Sequence, residues 1–255
     1  MRYADRFVGK RVFVTGAGSG MGRATALRLA IEGGAVTATD VSAEGLAVTE
    51  KQAGEAGVSD LLTTAVLDVS DESAINSAVS SALARLGGLD VLVNAAGILK
   101  AVHSEQCPTD LWETVLRVNL TGTFLVTRAA LPALLEAKGV VVNFASTSAA
   151  FGHPYMAAYA ASKGGVAALT QTLAAEYASR GLRVVAVAPG GITTPMVSDL
   201  VLPEDTDYQG ITRLLPRSGT FGEPEDVAGI VATLASEEGR HTTGIVVRID
   251  GGTHA

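Results

Sequence analysis

The sequence predicts an α/β fold, a single domain over residues 1–255 built on a doubly wound sheet of seven parallel strands with helices on both faces. Three observations carry this. Short β-branched runs recur seven times, helical stretches separate them, and most of the runs are apolar throughout, as strands covered on both sides must be. In chain order the strands are expected at 11–15, 35–40, 61–67, 91–94, 140–145, 183–188 and 245–249. Helices are expected between them at 21–32, 43–56, 71–86, 109–137, 156–179 and 224–235. In the fifth helix Val166, Leu169, Leu173 and Tyr177 recur at helical spacing. The sixth starts on Pro224 followed by Glu225 and Asp226, a proline in the first turn with acids at the positive end of the helix dipole. Such alternation implies right-handed crossovers between parallel strands. Residues 193–222 are the one long interruption, and an insertion of that kind in a compact domain is expected to form a lid.

Composition narrows the function. The 255 residues (26.0 kDa) are 47% apolar and 18% charged, enough to bury a large core. Net charge is −7, pI is near 5.1, and the arginines and lysines form no run, which argues against nucleic acid or an anionic membrane surface as partner. A single cysteine, Cys107, excludes an intrachain disulfide and a cysteine-rich metal site. The first ten residues lack the apolar core of a signal peptide, so a cytoplasmic location is expected. Residues 139–162 contain no Asp, Glu, Lys or Arg, but Asn143 and the breaker Gly152-His153-Pro154 make a buried strand, loop and helix start a better reading than a membrane span.

The chemistry concentrates in a few residues. Tyr159 and Lys163 are four apart and share one helix face, with Ser146 at the end of an apolar strand upstream. An ammonium about 4 Å from a phenol gains roughly 4 kcal/mol at an effective dielectric near 20, enough to draw a tyrosine pKa from about 10 toward about 7. A tyrosine so tuned is a general acid/base. The first strand runs into Thr15-Gly-Ala-Gly-Ser-Gly-Met-Gly22 and then a helix, so bare amides at a helix N-terminus await an anion such as a pyrophosphate. The spacing, Gly-x-x-x-Gly-x-Gly through Gly16, Gly20 and Gly22, differs from the G-x-G-x-x-G fingerprint. Asp40 ends the second strand, where an acid accepts from both hydroxyls of an adenosine ribose and repels a 2′-phosphate. Ser19 supplies no cation to offset it, so NAD is expected over NADP.

These segments resemble the short-chain dehydrogenase/reductases over essentially the whole chain. The resemblance is carried by the loop from Thr15 to Gly22, Asp68-Val69, Asn94-Ala95-Ala96-Gly97, Asn119, Ser146 with Tyr159 and Lys163, Pro189-Gly190-Gly191-Ile192-Thr193-Thr194, Thr243-Gly244 and Asp250-Gly-Gly252. It implies a Rossmann-like fold and a catalytic tetrad of Asn119, Ser146, Tyr159 and Lys163. It also implies NAD contacts from Gly16, Ser19, Gly20, Met21, Gly22, Asp40, Asp68, Val69, Asn94, Ala95, Gly97, Tyr159, Lys163, Pro189, Gly190, Ile192 and Thr194. Asp68 and Val69 would contact the adenine, Asn94 and Gly97 would shape the pocket, and Ile192 and Thr194 would hold the carboxamide. Homodimers or homotetramers through the long helices and last strand are implied as well.

In the oxidising direction Tyr159 would take the hydroxyl proton of an alcohol while hydride leaves the same carbon, and Ser146 would steady the oxygen. Lys163 can also donate to the nicotinamide ribose. Asn119, through its amide or a freed carbonyl, could fix a water linking Lys163 to solvent, although the residue alone reads as a polar side chain on an exposed helix face. The four histidines lack metal-ligand spacing, so no metal site is expected. The substrate walls are expected from 99–103, 147–156 and the segment after Thr194, with Ala149, Phe151, Met156, Val197 and Leu200 making them rather apolar and Asp199, Glu204, Asp205 and Asp207 disfavouring an anion. A neutral secondary alcohol or its ketone fits such walls. The alternatives are reduction of a carrier-bound 3-oxoacyl group and a non-catalytic dinucleotide binder.

Overall fold

The computed structural model describes residues 5–255; the start of the N-terminal stretch read above for a signal peptide lies outside them. Among the described residues the elements alternate as β1 (Arg11–Thr15), α1 (Gly20–Ile31), β2 (Ala35–Asp40), α2 (Ala43–Glu55), β3 (Leu62–Val66), α3 (Glu72–Leu86), β4 (Val91–Asn94), α4 (Thr109–Leu116) and α5 (Thr123–Ala137). They continue as β5 (Val140–Phe144), α6 (Ala157–Tyr177), β6 (Arg183–Pro189), the short α7 (Pro195–Ser198) and α8 (Tyr208–Thr212), α9 (Pro224–Ala235) and β7 (Val246–Ile249). One parallel sheet holds all seven strands in the order β3-β2-β1-β4-β5-β6-β7. Its central register sets Val12 against Val36 on one side and Val91 on the other.

Two apolar layers cover the sheet. Leu29 and Ala30 of α1 and Val227 and Val231 of α9 pack with Val14, Val36 and Val142 on one face; Ile75 and Val79 of α3 and Val126 and Leu134 of α5 pack with Phe13, Leu92 and Val141 on the other. The strands read as unbroken apolar runs because each must satisfy both layers. The ends of the helices follow their local chemistry. Asp71 caps α3 by accepting from the amides of Ser73 and Ala74, and Gly87 closes it in the left-handed region. Asp226 caps α9 from within, its Oδ2 accepting from the Glu223 amide at 2.8 Å across Pro224.

The stretch 109–137, expected as one regular helix, instead contains six residues of π-helix, Arg117–Gly122, between α4 and α5. By length and hydropathy alone this stretch could cross a membrane, yet Val115, Val126, Ala130 and Leu134 are buried in the protein interior. Strand limits differ from expectation by a residue or so: β3 spans Leu62–Val66 and β7 begins at Val246.

Candidate functional site at the strand ends

The order of the sheet reverses between β1 and β4, so the loops leaving their carboxyl ends must part and a crevice opens there. A cleft of about 380 Å³ occupies that point, lined by Gly16, Ser19, Gly20, Met21 and Gly22 after β1, Asp40 and Val41 after β2, residues 67–70 after β3, residues 95–98 after β4, and Thr194 with Met196. The glycine turn is shaped by close approach. Gly16 has φ of 71°, a Cβ on it would stand 2.6 Å from the Ala96 nitrogen, and one on Gly22 would overlap the Gly16 carbonyl. Thr15 Oγ1 accepts from the amides of Ala95 and Ala96 at 3.2 Å each, fastening the loops after β1 and β4 together. Ser19, at the N-cap of α1, makes no side-chain cap bond, so the first amides of that twelve-residue helix keep their donors for an anion. The residues present therefore fit a dinucleotide pyrophosphate.

Asp40 faces the same cleft. Its Oδ2 accepts from the Gly18 amide and its Oδ1 from the Ser42 amide, both at 2.9 Å, which fixes the carboxylate while leaving lone pairs on both oxygens for hydroxyl donors. Among the described residues no lysine or arginine lines the cleft. The neighbouring cation, Arg23, is committed to the carbonyls of Gly18 and Gly45 and to Thr49 Oγ1. Asp68 and Val69 line the cleft beside Asp40.

Other expected cofactor residues sit differently. Asn94 does not line the cleft; its Nδ2 donates to Thr127 Oγ1 and Asn143 Oδ1 at 2.9 Å each, and Asn143 donates on to Thr170 Oγ1, a buried polar ladder binding β4 and β5 to the helices beneath. Pro189 and Gly190 lie at the end of β6, where the Gly190 amide donates to the Ile249 carbonyl across to β7. Ile192 is core, and Thr194 alone of that stretch reaches the cleft.

Ser146, Tyr159 and Lys163 converge behind Gly97. The Ser146 hydroxyl lies close enough to the Tyr159 phenol to act on its pKa, and Ser146 Oγ accepts from the Ser148 amide at 3.2 Å. Lys163 Nζ donates to the Phe144 carbonyl at 2.6 Å and lies 5.7 Å from the centre of the Tyr159 ring. A Cβ on Gly97 would come within 3.2 Å of Asn119 Oδ1 and 3.5 Å of Lys163 Nζ, so that glycine is the opening between the cleft and these two side chains.

Two expectations are corrected at this point. Asn119 is fully buried, not exposed. Its Oδ1 accepts from the Ile98 amide at 2.8 Å, its Nδ2 donates to the Ile98 carbonyl and Ser162 Oγ, and its own carbonyl accepts from Thr123 Oγ1 at 2.7 Å, so the amide is spent on protein partners. The π-turn swings it inward, a distortion that tends to accompany functional sites. The second correction concerns the pair Tyr159 and Lys163. Taken whole Tyr159 is half-buried, but its phenol is enclosed, and burial raises its pKa above the ordinary value while the neighbouring Ser146 hydroxyl opposes this. Burial lowers Lys163 to about 8. Desolvation outweighs the pairwise attraction that a bare helix spacing suggests, because the ammonium points at a carbonyl and not at the phenol oxygen.

A second cavity of about 530 Å³ lies between residues 99–103 with Gln106 and residues 199–205. The 147–156 stretch does not line it. Phe151 instead stacks on His254 with ring centres 3.8 Å apart, Arg248 lies over the Phe151 ring at 5.4 Å, and burial drops His153 to about 4 with help from His254. Sequence reasoning missed this packing of the C-terminus, and it missed Val41, Ser70, Thr114, Val118 and Met196 around the cleft; a strand-end position was the only signal available for the first two.

Fold and site together define an oxidoreductase of CH–OH groups that works with a nicotinamide dinucleotide. The chain belongs to the short-chain dehydrogenase/reductase family: residues 16–254 match the family model described as enoyl-(acyl carrier protein) reductase. It is 41% identical to the 3-oxoacyl-(acyl-carrier-protein) reductase of Thermotoga maritima, covering 97% of this chain and 98% of that protein. It is 40% identical to 3beta-hydroxysteroid dehydrogenase 1 of Eggerthella lenta, covering 97% and 95%. Among solved structures, a short-chain dehydrogenase from Mycobacterium paratuberculosis bound to NAD superposes with a TM-score of 0.90 at 30% identity, covering 97% of this chain and 98% of that one.

Proposed function

We propose that this protein is an NAD(H)-dependent dehydrogenase that interconverts a neutral, moderately apolar secondary alcohol and its ketone. The observation that carries the reading is the Tyr159 hydroxyl, beside Ser146 and backed by Lys163, on the far side of Gly97 from a cleft that holds Asp40. Bound in the cleft, the dinucleotide would supply the hydride acceptor or donor. Everything else falls to the chain's own groups. Tyr159 takes the proton from the alcohol oxygen in oxidation and returns it in reduction. Ser146 donates to the same oxygen as charge gathers on it. Lys163, anchored on the Phe144 carbonyl, stands within reach of ribose hydroxyls through the opening at Gly97, and Asn119 holds Ile98 and the α6 residue Ser162 in register behind it.

Asp40 supports NAD over NADP, since a fixed carboxylate with no free cation beside it would repel a 2′-phosphate. Gly16, Ser19, Gly20, Met21 and Gly22 would cradle the pyrophosphate, with Asp68, Val69, Ala95 and Thr194 along the cleft. The whole chain would act as one domain with 193–222 as its lid. A cytoplasmic homodimer or homotetramer is the assembly we assign to it.

The likeness to the Thermotoga protein favours a second reading, reduction of 3-oxoacyl thioesters. Asp40 and the net charge of −7 weigh against it, because a carrier protein is acidic and needs a basic docking face. Initial rates with NAD and NADP against 3-hydroxysteroids, cyclic alcohols, diols, sugars and 3-hydroxyacyl thioesters test the proposal. Turnover of a neutral alcohol with NAD is expected; NADP preference with activity confined to thioesters would establish the second reading, and no turnover of any substrate would leave a dinucleotide binder.

A further inference from the structure

Tyr155 stands four residues before Tyr159 with a backbone φ of 66°, in the left-handed region. A bulky residue there brings its Cβ against its own carbonyl, so the contacts around it must hold it in place. Those contacts reach in two directions. The Tyr155 carbonyl accepts from the Val102 amide at 2.8 Å, in the loop after β4. Its hydroxyl accepts from the Asp207 amide at 2.8 Å, in the segment ahead of α8. Its ring meets His103 edge-on with centres 5.0 Å apart, and His103 Nε2 lies 2.7 Å from Asp205 Oδ1. Next door, a Cβ on Gly210 would stand 3.3 Å from Pro154 Cγ, so α8 itself rests on this turn. One residue thus touches the 99–103 wall of the second cavity directly and the chain just past its 199–205 wall at Asp207, with His103 linking it to Asp205, while standing two positions ahead of the helix that carries Tyr159 and Lys163.

We propose that Tyr155 is a positioning residue that ties the 193–222 segment to the loop after β4 and to the start of α6, and so sets the width of the cavity that receives the substrate. The proposal rests on the reading of Tyr159 as the proton carrier. The contact between His103 and Asp205 is the weaker part of the tie, because the Asp205 side chain is 77% exposed and water screens it. The tyrosine hydroxyl is the stronger part, held by a rigid ring whose backbone is pinned at Val102.

Hydrogen–deuterium exchange on the full-length protein tests the tie without any substrate. Tyr155→Phe keeps the ring and deletes the hydroxyl; exchange of residues 205–212 is expected to rise about threefold to tenfold, the loss of one hydrogen bond. Tyr155→Gly suits the left-handed backbone but removes the ring, and is expected to loosen 99–103 as well. Asp205→Asn should raise exchange by less than about threefold. NADH affinity, read by fluorescence, should stay at the wild-type value because neither Tyr155 nor the residues it touches line the cofactor cleft. Wild-type exchange in both segments of the first two variants would overturn the proposal, and so would a uniform rise across α1 and β2. With an alcohol that the wild type oxidises, Tyr155→Phe should raise KM several-fold at unchanged kcat; a lower kcat at constant KM would overturn the positioning role. Loosened segments in a protein that oxidises none of the panel would leave the tie standing and remove the functional reading instead.

Discussion

Lys163 is a charged side chain 5% exposed, and its environment makes a quantitative prediction about stability. Burial lowers its pKa from 10.5 to about 8, and the Phe144 carbonyl at 2.6 Å is the polar group recorded on its ammonium. In the unfolded chain the same amine titrates near its ordinary value, about 10.4. Between those two values the unfolded state holds a proton that the folded state has released, so the stability of the protein rises with pH across that window. Below the folded value the full cost applies: two and a half units at about 1.4 kcal/mol each come to roughly 3 kcal/mol of destabilisation at about pH 7.5, falling to roughly 1 kcal/mol at about pH 9.5. Replacing Lys163 with Met removes the titrating group and keeps most of the volume. Urea unfolding of both proteins at the two pH values should show wild type gaining about 2 kcal/mol on the variant as pH rises. A difference in unfolding free energy that stays constant with pH would refute the reasoning, as it would mean the buried ammonium is not desolvated.

Four further outcomes follow from the same geometry. Tyr159→Phe should cut turnover by at least about a hundredfold while titration with NADH shows the wild-type affinity. Because burial raises the Tyr159 pKa, log kcat/KM for alcohol oxidation should climb with pH across the alkaline range without a plateau below the ordinary phenol value of about 10, whereas ketone reduction, which needs the neutral phenol, should stay flat near neutrality; an oxidation limb that levels off at about pH 7 to 8 would contradict this. Asp40→Ala should lower kcat/KM with NAD by about tenfold to a hundredfold and raise that with NADP, measured as the ratio of the two. Asn119→Ala strips two bonds from Ile98 and one from Ser162 in a fully buried site, and calorimetry should show a loss of about 3 kcal/mol or more.

The sequence by itself determined the strand runs, their parallel pairing, and the glycine turn and acid at the strand ends. β1, β2 and β4 have the limits that β-branching and apolar runs indicate, because a strand covered on both faces leaves an unbroken apolar signature. The glycine turn and Asp40 were legible for a similar reason: a tight turn against a neighbouring strand excludes side chains, and that exclusion is written as glycine. Only the tertiary structure decided the rest. Helical periodicity cannot show a π-turn, so Asn119 looked exposed until the extra residue in that turn rotated it into the core. Spacing along a helix shows that Tyr159 and Lys163 share a face, but the balance between attraction and desolvation depends on what else surrounds them. Here that balance goes to burial, through a carbonyl of β5 nineteen residues away. The Asn94 ladder, the stacking of Phe151 on His254 and the tie through Tyr155 join segments from about 30 to over 100 residues apart, and no local pattern records a contact between side chains whose neighbours are set by the packing of the whole sheet.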